Sequence, residues 1–205
     1  MAADKMGILA EQLGRMRGMT RYYHERFFAD TRFFSLVLLA LLVVGWWGVP
    51  ETFLLVPLVA ILAANVTAFD ASYLIFARKY AATLEAEINQ HLGADWLIAA
   101  RMEDAYLFPL DKPKVVTIRL GEDFSWFGWM TILYTLLGAA LGLVGLAAGW
   151  ATLRGLTAAW FAAYVIGVAS LTIGSLVIGS WWFGSGAGEA RLTEVIESRF
   201  GKPVG

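Results

Sequence analysis

The sequence predicts an all-α membrane protein with four transmembrane helices arranged as two antiparallel hairpins. Three features carry that prediction. Four runs are apolar over roughly the 20 residues that a helix needs to cross a hydrocarbon core. On a four-span map every Lys and Arg except Arg154 falls on one side, which the positive-inside rule makes the cytoplasm. Every Trp except Trp96 falls at a predicted span end, forming two interfacial belts: Trp46, Trp47, Trp150 and Trp160 at the outer ends, and Trp126, Trp129, Trp181 and Trp182 at the inner ends. The composition agrees. It is 59% hydrophobic and 16% charged, with a mean hydropathy of +0.62, whereas a soluble domain carries about 25% charged residues. A net charge of −1 gives no bulk attraction to nucleic acid. The chain has no cysteine, which excludes disulfides, thiolate chemistry, iron–sulfur clusters and Cys-type zinc sites.

Residues 1–32 are predicted to form a cytoplasmic amphipathic helix. Met6, Leu9, Leu13, Met16, Met19 or Thr20, Tyr23 and Phe27 recur at spacings of three and four, and Arg15, Arg17, Arg21 and Arg26 sit largely off that face. Such a helix either lies on the inner leaflet or packs on the middle loop, and the four arginines make anionic lipid a candidate ligand. The apolar run that follows is too long for the core of a secretory signal.

Residues 33–77 read as the first hairpin. Its spans are 33–49 and 53–77, joined by a tight external turn around Gly48 and Pro50. Residues 78–123 read as a cytoplasmic helical loop. The second helix continues through Tyr80, Leu84, Ile88 and Leu92 to a C-cap at Gly93. Asp95 is expected to cap a short helix starting at Trp96. Pro109 and Pro113 stop regular structure, 115–120 looks extended, and Glu122 and Asp123 precede the third span.

Residues 124–183 read as the second hairpin, with spans within 124–150 and 157–183. Gly138, Gly142, Gly145 and Gly149, then Gly167, Gly174 and Gly179, form small-residue stripes that let helices approach closely in lipid. They serve either packing within one subunit or the seam of a homo-oligomer. Residues 184–205 read as a Gly-rich joint and a cytoplasmic helix with Leu192, Val195, Ile196 and Phe200 on one face.

Asp70 is the one ionisable residue well inside a predicted span, and at that depth a charge costs roughly 2.5–3.5 kcal/mol and must face protein or water. Thr67 and Tyr73 share its face. Asn65 lies nearer the midplane, and Thr131, Tyr134, Thr135, Thr172 and Ser175 lie at matching depths on the later spans. No counter-ion is expected at that depth beyond a partial reach from Arg78 or Arg32. Asp70 is therefore a packing residue, part of a cation or proton path, or an acid–base catalyst. The last lacks a second catalytic group. Glu87 and His91 share a helix face, but two ligands make no metal site, and no cofactor motif is present. The leading expectation is a non-enzymatic, homo-oligomeric ion channel or small-solute transport protein of the cell membrane, with Asp70 in or near the pathway. The alternative is a non-catalytic subunit or scaffold of a larger membrane complex.

Overall fold

A computed structural model describes residues 2–110 and 125–200. The described residues are helical throughout apart from turns and connecting segments. Among the described residues, four helices are long and apolar enough to cross a membrane.

Helix α1 runs unbroken over Ala2–Trp46, 45 residues. The amphipathic segment and the first predicted span are thus one helix, with no interruption at Asp30 or Arg32. A 3-10 turn over Pro50–Leu54 leads into α2, Leu55–Leu92, of 38 residues. Pro57 lies in the first turn of α2, where its missing N–H breaks no intrahelical bond. At 1.5 Å per residue α1 and α2 are about 67 and 57 Å long, roughly twice a hydrocarbon core of about 30 Å. α2 stops as the sequence predicts, at Gly93, whose φ of +70° is open to glycine without a Cβ clash.

Helix α3 spans Ala99–Tyr106, α4 Trp126–Ala148, α5 Trp150–Arg154, α6 Ala158–Gly179 and α7 Ala187–Phe200. α4 begins at Ser125, whose buried hydroxyl accepts the Gly128 N–H at 3.0 Å. A π-turn over Ser180–Gly184 separates α6 from α7. The segments read from sequence at 111–124, including Lys112, Pro113, Lys114, the 115–120 run, Glu122 and Asp123, lie outside the described residues, as does Lys202.

The chain divides into two compact units. One comprises 1–26, 70–130 and 180–205. Its core is Leu9 and Met16 of α1 against Ala81, Leu84 and Ile88 of α2, with Met6, Leu13, Tyr80 and Phe200 packed around them. The apolar stripe of α1 is therefore covered by α2 over this stretch. Phe200 of α7 docks on the same cluster, 6.1 Å from the Tyr80 ring, while Val195 stays exposed.

The other unit comprises 27–69 and 131–179. Leu38 and Leu42 of α1 pack on Phe53 and Val56. α4 and the Gly149 that follows it approach this cluster through glycines: a Cβ on Gly145 would stand 2.5 Å from the Cβ of Val56, and one on Gly149 3.0 Å from that of Phe53. Gly142 lies in ordinary contact range of Ala60, whereas nothing lies within 4 Å of Gly138, Gly167, Gly174 or Gly179. Three of the seven glycines of that pattern, Gly142, Gly145 and Gly149, thus pack within the subunit.

Candidate functional site

The carboxylate of Asp70 is 1% exposed, and its Oδ1 lies 3.7 Å from Nε of Arg26 on α1. Arg26 in turn donates from Nη1 to the Tyr22 hydroxyl at 2.9 Å. One turn along, Tyr73 stacks on Tyr23 with ring centres 4.8 Å apart. The counter-ion of Asp70 is thus Arg26, not Arg78 or Arg32. Arg26 is hidden as a partner in the sequence because residues 1–32 read as a separate cytoplasmic helix. With α1 unbroken, its turns around Tyr22–Arg26 meet α2 at Asp70–Tyr73.

Three of the other polar residues matched by depth bond within their own helices. Thr67 donates to the Ala63 carbonyl at 2.9 Å, Thr135 to Thr131 at 2.8 Å, and Thr172 to Val168 at 2.8 Å. Each hydroxyl is satisfied one turn back on its own helix, the usual resting place for such groups where water is scarce. Tyr134 is half-buried on α4. Asn65 and Ser175 do meet, since Asn65 Nδ2 donates to the Ser175 hydroxyl at 2.7 Å. Separately, the Tyr164 hydroxyl donates to the Leu54 carbonyl at 2.8 Å.

The strongest polar cluster involves residues the sequence reading treated as topology signals. The Arg78 side chain is fully buried. Its Nε reaches Glu103 at 3.3 Å, Nη2 reaches Asp104 at 2.8 Å, and Nη1 donates to the Phe108 carbonyl at 3.0 Å. The Phe108 ring covers the guanidinium at 4.4 Å, a cation–π contact. Arg17 of α1 forms short charge-assisted bonds to Glu103 and to Glu85. Glu85 is 4% exposed and also accepts the Ala100 N–H at 3.1 Å. Glu85 therefore caps α3; Asp95 instead pairs with Arg101 at 2.6 Å, and the helix starts at Ala99 rather than Trp96. Two guanidinium groups and three carboxylates hold α1, α2 and α3 together. Arg78 and Glu85 are the buried members of this set, and removing either leaves uncompensated charge, at about 3–5 kcal/mol.

Asn89 adds a second clasp. Its amide donates to the Leu97 carbonyl at 2.7 Å and accepts the Leu97 N–H at 2.9 Å. A signal for this lock existed in the sequence: Arg78, Ala81, Glu85 and Ile88 recur every three or four residues, which puts both charges on the apolar face of α2.

Of the four arginines considered for anionic lipid, Arg17 and Arg26 turn toward Glu85, Glu103 and Asp70. Arg15 and Arg21 point outward, with partners Glu11 and Glu25 on their own helix. Glu87 and His91 do converge, and Lys5 Nζ bridges them at 3.0 and 3.2 Å. Among the described residues no group of three or more His, Asp or Glu is placed to hold a metal ion.

Comparison of the chain with protein-family models, with curated proteins and with solved structures gave no match.

Proposed function

We propose that this chain is a non-catalytic subunit or scaffold of a membrane complex, its helices inserted as two antiparallel hairpins with both termini and the middle segment in the cytoplasm. The carrying observation is the state of Asp70. A carboxylate sealed from water and set against a guanidinium locks α2 to α1. The second lock, Arg17 and Arg78 with Glu85, Glu103 and Asp104, stiffens α1, α2 and α3 into a mount for partners.

The test pairs function with rescue. Asp70→Asn and Arg26→Gln each lower unfolding stability, and the swap Asp70→Arg with Arg26→Asp recovers part of the loss. Purified chain in liposomes conducts no ions, and gentle extraction from native membranes retains partner chains in fixed ratio. A homo-oligomer whose cation flux is abolished by Asp70→Asn, with its stability untouched, would overturn the proposal.

A second reading keeps the homo-oligomeric channel or small-solute transporter. It draws on Asn65 and Ser175, a polar pair that meets on helices of membrane type while the Asn65 residue stays exposed. In lipid that exposure favours another copy or a hydrated path beside it. Flux unaffected by Asn65→Leu would remove this support.

A further inference from the structure

Helix α3 is built inside out. Its acidic residues Glu103 and Asp104 face inward to Arg17 and Arg78. Its apolar residues face outward: Ile98, at its N-cap, is 48% exposed, Met102 64% and Tyr106 76%. These three recur every four residues and share one side of the helix, with Ala99 and Ala105 between them also exposed. Trp96, just before the helix, is 73% exposed and extends the surface. A helix bathed in water on that side would carry the opposite pattern.

We propose that this outer face of α3 lies in the headgroup–acyl boundary of the bilayer, as a membrane-surface helix anchored from within by its own charges. Continuity with a membrane helix identifies lipid as the occupant. Phe108, two residues beyond Tyr106, packs on Phe127 in the first turn of α4, ring centres 5.5 Å apart. α4 is one of the four helices of membrane-crossing length and composition. Trp126 and Trp129 of that same turn are exposed, so Trp96 and Tyr106 add to a surface already rich in the residue types that settle at the membrane boundary. At eight residues α3 is about 12 Å long, too short to cross and suited to lying flat. Arg101, exposed beside Met102 and paired with Asp95, stands where a cation meets lipid headgroups. This placement is independent of whether the protein is a scaffold or a transporter.

The absence of cysteine makes the test direct. Met102→Cys and Trp96→Cys are each made in the full chain, spin-labelled, and reconstituted in vesicles of phosphatidylcholine and phosphatidylglycerol. Collision rates with oxygen, which partitions into lipid, and with a water-soluble nickel chelate are then compared. Leu136→Cys on α4 is the lipid reference and Glu11→Cys on α1 the water reference. Both test positions are expected to show an oxygen-to-nickel ratio several-fold above the water reference and close to the lipid one. A ratio matching the water reference would overturn the proposal. Shielding from both probes would also overturn it, since a second copy or another protein would then cover the face.

Discussion

The two units hold their helices together by opposite means. In the unit containing 1–26 and 70–130, buried arginines and carboxylates tie α1, α2 and α3 around an aliphatic core. In the unit containing 27–69 and 131–179, glycines admit Val56 and Phe53 to the α4 backbone, and single hydrogen bonds such as Tyr164 to Leu54 supplement that contact. The difference teaches which resource each environment leaves available. Charged side chains can be assembled where they fold out of water as a compensated set. In lipid there is no hydrophobic drive between helices, so close backbone approach replaces it.

The largest effect that would sharpen this contrast is loss of Arg78. Arg78→Ala takes the guanidinium from Asp104 and leaves Glu103 with Arg17 alone, and should lower unfolding stability in detergent by about 3 kcal/mol, the low end for a buried pair because Asp104 is partly solvated. Proteolysis between Gly93 and Leu110 should rise with it; an unchanged cleavage pattern would mean the charges do not hold α3. Next comes Gly145→Leu, which drives side-chain atoms into Val56 and should cost about 1–3 kcal/mol by thermal unfolding. Asn65→Ala removes the bond to Ser175 and should cost about 0.6 kcal/mol, the average for such bonds between membrane helices. Smallest of all is Gly174→Ala, where nothing lies within 4 Å. Its effect on a subunit's own stability should stay within about 0.5 kcal/mol. If Gly174→Ala instead changes oligomer size by light scattering, the open glycines of α6 serve a seam between copies.

Much of the fold was legible because hydrophobic length and helix-stop chemistry are local. Four apolar runs correspond to four long helices, and Gly93 ends α2 as its place after Leu92 suggests. Two things were not legible. The junction at Asp30–Arg32 looked like a boundary because charge density changes there, yet backbone hydrogen bonding continues regardless of side-chain polarity. The roles of Arg17 and Arg78 were hidden because a basic residue near a membrane reads the same whether it faces water or a carboxylate more than 20 residues away. For Asp70 the residue was found and its partner was not, since Arg26 reaches it only through the packing of α1 on α2.

The paired hydrogen bonds between Asn89 and Leu97 have a consequence for how this chain tolerates change. The amide grips main-chain atoms alone, so it is indifferent to which side chains occupy Ala94 and Asp95. It is sensitive to how many residues lie between the two. Substitution at Ala94 or Asp95 should leave the clasp intact, whereas a one-residue insertion or deletion there would swing α3 out of phase with Arg17 and Arg78.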